Sequence, residues 1–187
     1  LGIKPYSWQY DVLKAINYKE SKVALKAANG SGKTSLVAAC AVLWHCMRFP
    51  ESTCVTTAGV FRQVKDQLFP YIRKYVSGLN GGEGWVVNAT DVRFQNGSKA
   101  ISRCQPSRLL IMSSPGSTSG FFYRAFTKEA SLWESFTVDA YQCPHIPESW
   151  IEEQFVKYGK DHPLVRSMVF GEFMNVGEDT MVIPYNS

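Results

Sequence analysis

The sequence predicts an α/β fold, a largely parallel sheet flanked by helices. Three observations carry this. Short apolar runs of strand character alternate with longer segments of helical periodicity. A glycine-rich stretch, Ala28-Asn29-Gly30-Ser31-Gly32, lies between an apolar run, Val23-Ala24-Leu25, and a long apolar segment from Leu36 to Met47. The chain has 187 residues, 45% hydrophobic and 19% charged, which suits one domain with a sizeable core.

The elements follow in order. Trp8, Val12, Leu13 and Ile16 recur at helical spacing, with Ser7 as candidate N-cap. The first strand covers Lys22 to Ala27. The helix after the glycine loop is apolar nearly all round, so it should be covered on most sides, and Phe49-Pro50 ends it. Thr53 to Thr57 is a second strand. Phe61, Val64, Leu68, Ile72 and Tyr75 mark an amphipathic helix that Pro70 kinks or divides. Asn80 to Gly84 is a turn region, and Val92 to Ile101 is a hairpin about Asn96-Gly97. Leu109 to Met112 is a short buried strand ending at Ser113-Ser114-Pro115-Gly116. A helix begins within Phe121 to Phe126, and Ser135 to Ala140 alternates like a strand. Pro147 opens a helix whose apolar face is Trp150, Ile151, Phe155 and Tyr158. Asp161 caps a last helix, which Gly171 stops.

Composition narrows the function. Net charge is +4, from 20 basic and 16 acidic residues, a mild excess that neither requires nor opposes nucleic acid. No apolar run is long enough to span a bilayer, so no membrane role is expected. The N-terminal residues lack the pattern of a signal peptide. Five cysteines without a C-x-x-C pair argue against a disulfide framework and for a reducing cytosol. Cys143-Pro144-His145 has the look of half a metal corner, but without a second ligand pair it reads as packing or loop structure.

The glycine-rich stretch continues into Lys33-Thr34-Ser35. Strand, glycine-rich loop, Lys-Thr and helix is the order of a P-loop NTPase of the ASCE/RecA-like kind. The expected ligand is ATP with Mg²⁺. Ala28, Asn29, Gly30, Ser31, Gly32, Lys33, Thr34 and Ser35 form the ATP-binding set. Loop amides and the helix dipole would hold the β-phosphate. Lys33 would bridge the β- and γ-phosphates, and the Thr34 hydroxyl would ligate Mg²⁺. The first motif position, ordinarily glycine, is Ala27, so the loop is a variant. The competing reading is a loop that merely caps a buried helix.

Several segments in this order resemble the ATPase domain of the large terminase subunit of tailed bacteriophages. They are Tyr6-Ser7-Trp8-Gln9, Thr56-Thr57-Ala58 with Phe61-Arg62-Gln63-Val64, and Phe94-Gln95-Asn96-Gly97-Ser98. Arg108 to Pro115, Gly120-Phe121-Phe122-Tyr123 and Gly171-Glu172-Phe173 complete the set. The resemblance covers nearly the whole chain, 1–187. It implies an ATP-hydrolysing motor that drives double-stranded DNA into a procapsid in the cytoplasm of a bacterial host. The implied partners are the portal protein and the small terminase subunit. A homo-oligomeric ring is the implied working state, with a monomer possible in isolation. It further implies that Gln9 contacts adenine, and that Ser113 and Ser114 form the coupling segment beside the γ-phosphate, a catalytic set with Lys33 and Thr34. Read alone, Gln9 is an exposed polar residue on an amphipathic helix, and Ser113-Ser114-Pro115-Gly116 is equally a turn.

The departures from the resemblance are informative. Four apolar residues followed by Asp-Glu, the Walker B segment, are not found, nor is an arginine finger candidate. Their place falls at Ser102 to Ser107. The expectation is that a few dozen residues are missing near Cys104 and Gln105, and that these two are not covalently adjacent. The alternative is a true deletion. No nuclease domain follows, so the chain reads as a motor domain cut from a longer protein, without DNA-cleaving activity. The remaining readings are another P-loop nucleic-acid translocase or helicase, or a nucleotide-binding module that does not hydrolyse. Arg62, Lys65, Arg73 and Lys74 flank one helix, as phosphate contacts or as a solvated face.

Overall fold

The computed structural model describes residues 3–58, 64–79, 85–88, 91–101 and 108–174. The segments Phe61-Arg62-Gln63, Asn80 to Gly84 and Ser102 to Ser107 lie outside the described residues, as does the expected junction at Cys104 and Gln105. Contacts group the chain into two compact units, Leu1–Glu20 with Gly32–Leu109, and Ser21–Ser31 with Leu110–Ser187.

In the first unit, α1 (Ser7–Ala15) buries Trp8, Gln9, Val12 and Ala15. Its N-cap is Tyr6, in extended backbone, and not Ser7. The Tyr6 N–H donates to Gln9 Oε1 at 2.9 Å. A glutamine three residues inside the helix satisfies the cap amide and so fixes the start one residue earlier than a serine signal suggests. A π-helical turn, Lys33–Ala38, runs into α2 (Ala39–Arg48). A second π turn, Val64–Leu68, runs into α3 (Phe69–Ser77). Pro70 falls where the helical run from Val64 to Ser77 changes from π to α geometry, and the run continues through it without a break.

Four strands accompany these helices: β2 (Thr53–Val55), β3 (Trp85–Val87), β4 (Val92–Phe94) and β5 (Lys99–Ile101). Their order is β2-β5-β4-β3. β2 and β5 are parallel, whereas β3, β4 and β5 form an antiparallel meander. The sheet is therefore mixed, because the hairpin about Asn96-Gly97 forms as its turn chemistry dictates. Gly97 takes φ +80°, and the Phe94 N–H reaches Ser98 O at 3.0 Å. Asn96 Nδ2 and Ser98 Oγ both donate to the Cys46 carbonyl in the last turn of α2, at 2.9 and 2.6 Å. That carbonyl has no helical partner of its own in a terminal turn, so the hairpin supplies one. The unit's core joins Val42, Leu43 and Cys46 of α2 to Phe69, Ile72 and Val76 of α3 and to Val92, Phe94 and Ala100. α2 is not covered on every side. Met47 is 51% exposed, and an apolar groove of about 470 Å³ runs along Cys40, Leu43, Trp44 and Met47.

In the second unit, β1 (Lys22–Ala27) is the middle strand of the order β6-β1-β7, between β6 (Leu109–Ser113) and β7 (Glu134–Val138). β1 and β7 are parallel, in register from Val23 opposite Glu134 to Ala27 opposite Val138. Val23, Ala24, Leu25 and Ala27 are fully buried, as a central strand covered on both faces requires. β6 is half-buried rather than buried. The helices are α4 (Gly120–Ala125), α5 (Glu148–Tyr158) and α6 (Pro163–Met168). Pro147 is the N-cap of α5, not its first residue. His162, not Asp161, caps α6, its Nδ1 accepting the Leu164 N–H at 3.2 Å. Ile151, Val165 and Val169 pack with Ala28 and Ala140 into a second core. No helix among the described residues is long and apolar enough to cross a membrane.

Candidate functional site

The glycine-rich loop passes from the second unit to the first between Ser31 and Gly32. Each half is anchored within its own unit.

On the second-unit side, β1 ends at Ala27, paired with Val138. Ala27 is a ladder residue without positive φ, so the variant first position of the motif does not need glycine here. The next amide, Ala28 N–H, donates to Val138 O at 2.8 Å, and Asn29 N–H donates to Met168 O at 3.1 Å. Gly30 takes φ +74°. Its carbonyl lies 2.6 Å from His145 Nε2. The Ser114 hydroxyl donates to Asn29 Oδ1. The Ser113 hydroxyl instead turns back to the Ser114 carbonyl at 2.7 Å. Of the two candidate coupling serines, Ser114 is therefore the one that meets the loop. Ser31 is fully buried.

On the first-unit side, Gly32 takes φ +87° and caps the helical segment that starts at Lys33. Both Leu36 N–H and Val37 N–H reach its carbonyl, at 2.9 and 3.5 Å. That shared acceptor widens the first turn into π geometry. The Ser35 hydroxyl also points to Gly32 O at 3.4 Å, and Tyr75 OH holds the Ser35 carbonyl at 2.8 Å. Lys33, Thr34 and Ser35 are half-buried at the helix start. A Cβ added to Gly32 would stand 3.0 Å from Gln9 Nε2.

Gln9 is only 2% exposed, which removes the reading of an exposed helix residue. Its Oε1 serves the Tyr6 amide, and its Nε2 lies against Gly32. Gln9→Ala should cost about 1 kcal/mol, the usual worth of such a cap and hydrogen bond. Urea melts would show this as a lower midpoint at unchanged slope. An unchanged midpoint would mean that the bond contributes nothing.

Close to the loop lies Lys26 of β1. Its ammonium stands 5.3 Å from the Phe126 ring centre and 5.1 Å from that of Phe173. Burial lowers its pKa below the ordinary lysine value, with the Glu172 charge opposing that shift. Glu172 itself pairs with Arg166. The Gly171-Glu172-Phe173 segment thus closes over the outgoing strand. In the first unit, Arg108 Nε donates to Tyr18 O at 3.1 Å, and its guanidinium lies 4.6 Å from the Phe49 ring centre. Burial first, and then the Arg108 charge, lower the pKa of the neighbouring His45.

His145 is the loop contact that sequence reasoning missed. Its only signal was the Cys143-Pro144-His145 triplet, weighed as a metal corner. Cys143 is instead buried, with its thiol turned to Asp139 O at 3.5 Å. Among the described residues no group of three or more His, Cys, Asp or Glu is placed to hold a metal ion.

No family model and no curated protein matches the sequence. Solved structures do match. The large terminase of a thermophilic bacteriophage aligns with a TM-score of 0.69 at 10% sequence identity. The alignment covers 91% of this chain and 54% of that one, so the chain spans about half of that protein's length. The fold is terminase-like.

Proposed function

We propose that the chain is the ATP-hydrolysing motor domain of a DNA-packaging terminase, working on double-stranded DNA in a bacterial host cytoplasm. One observation carries the reading. Gly30 and Gly32 both hold left-handed backbone between a buried strand and a helix opening on Lys33-Thr34-Ser35. Left-handed glycines before a helix start let consecutive amides converge on an anion, and the helix dipole adds to that field. The terminase-like fold agrees with it.

In this reading Gly30 and Gly32 supply amides, Lys33 a cation for the β- and γ-phosphates, and Ala28, Asn29, Ser31 and Ser35 the frame, the Ser31 N–H being turned to Ala28 O. The Thr34 hydroxyl, half-buried at the helix start, suits Mg²⁺, which commonly takes one or two protein oxygens beside the phosphates. Bound Mg²⁺ would neutralise charge on the transferred phosphoryl group. The resemblance assigns Gln9 to adenine, a role that its burial and its bond to the Tyr6 amide oppose in this conformation. Ser114, joined to Asn29, would couple the loop to β6. Portal protein, small terminase subunit and a ring of copies follow from the same reading.

Calorimetric titration with Mg·ATP tests it, beside phosphate release with and without double-stranded DNA. Micromolar binding with DNA-stimulated turnover is expected. No binding would overturn the reading, and binding without turnover would make the chain a non-hydrolysing module. Ser114→Ala should leave ATP affinity within about twofold and slow turnover about tenfold, the scale of one lost hydrogen bond. Unchanged turnover and packaging would remove Ser114 from the coupling role.

A further inference from the structure

We propose that His145 is a positioning residue for the phosphate loop, a latch on the Gly30 peptide; its effect on nucleotide affinity rests on the reading above. A backbone carbonyl can only accept, so the 2.6 Å approach requires the proton on Nε2. The contact therefore fixes the ring's place.

Gly30 is where such a latch is needed. It lacks a Cβ, holds φ +74°, and among the described residues meets nothing closer than Ile146 Cδ1 at 4.0 Å from where a Cβ would stand. Little steric resistance prevents the peptide after it from rotating. Rotation would swing the carbonyl oxygen away from His145, and a partial negative charge turned inward opposes an anion. With the carbonyl held by His145, the opposite edge of the same peptide, the Ser31 N–H, points back toward Ala28 O at 3.4 Å.

The segment carrying His145 is itself well held. Asp139 and Gln142 exchange bonds, Asp139 N–H to Gln142 Oε1 at 3.1 Å and Gln142 N–H to Asp139 Oδ1 at 2.9 Å. Ala140 N–H reaches Val169 O at 2.7 Å, and Ile146 N–H reaches Cys143 O at 2.8 Å. The imidazole is thus presented from a tied turn. Ser114 holds the neighbouring Asn29 side chain. The latch and the serine act on successive residues of one loop.

The test compares His145→Ala and His145→Gln with the parent protein. Gln can still donate an N–H, while Ala cannot. His145 is exposed, so neither variant empties a core site. Hydrogen exchange of the Ala28–Ser31 amides is followed without nucleotide, and Mg·ATP affinity by calorimetry. His145→Ala should speed exchange several-fold and weaken affinity about 3- to 10-fold. His145→Gln should restore most of both. Unaltered exchange in His145→Ala, or a glutamine variant as impaired as the alanine one, overturns the latch. If the parent protein binds no Mg·ATP, the nucleotide reading falls and the affinity effect with it. Exchange in the nucleotide-free protein still decides the latch.

Discussion

Lys33→Ala is expected to lower ATP turnover on the order of 10²- to 10³-fold, the range found when one preorganised electrostatic contact to a transition state is removed. Lys33 is the first residue of the helical segment that Gly32 caps, and it is half-buried there. A long cation at this point would meet phosphate oxygens whose charge grows during transfer. Alanine is a better helix former than lysine, so the π turn and α2 should persist. The variant should melt close to the parent while losing nucleotide. Equal Mg·ATP affinity in the two proteins, measured by calorimetry, would separate Lys33 from the phosphates and take the proposed function with it.

Gly171→Ala should be the most damaging of the conservative substitutions, costing about 2–5 kcal/mol. Two independent reasons add. Gly171 holds φ +65°, where an L side chain is strained. A Cβ there would stand 2.8 Å from the Val138 carbonyl oxygen and 3.6 Å from the Ala28 nitrogen. Those two atoms are hydrogen-bonded to each other where the loop leaves β1. The new methyl must displace backbone rather than a flexible side-chain end. Against a typical stability of about 5–15 kcal/mol the loss is large. Gly116→Ala is the control, because nothing among the described residues lies within 4 Å of its added Cβ. Urea midpoints should differ widely between the two variants. Equal midpoints would show that the 171 segment can move aside cheaply.

What the sequence made legible is what short-range chemistry decides. β1, the glycine loop, the Asn96-Gly97 hairpin and the apolar stripes of α1 and α3 all follow from local spacing and turn residues. Helix caps were harder. Tyr6 and His162 cap α1 and α6 where Ser7 and Asp161 carry the stronger compositional signal, because an inward glutamine and a ring nitrogen supply the cap bonds. The burial of Gln9 and the reach of His145 to Gly30 depend on residues brought together by folding, from positions far apart in the chain. No local pattern encodes them. The mixed sheet of the first unit arose because the hairpin's own preference was antiparallel, and a general α/β expectation does not override that.

The π turn at the start of α2 bears on how related chains should be aligned and trimmed. A π turn is an α-helix with one residue too many. Removing one residue between Lys33 and Ala38 would leave an ordinary helix, and Ala39, Val42, Leu43 and Cys46 would keep their places in the core. The residues on either side of the cut would keep their faces, because the wide turn is what absorbs the extra residue. Lys33 and Thr34 would keep their side of the helix, and the apolar contacts of α2 would survive. A single-residue gap at this point in a homologue would mark the loss of the wide turn, in a protein that keeps both its core and the placing of Lys33.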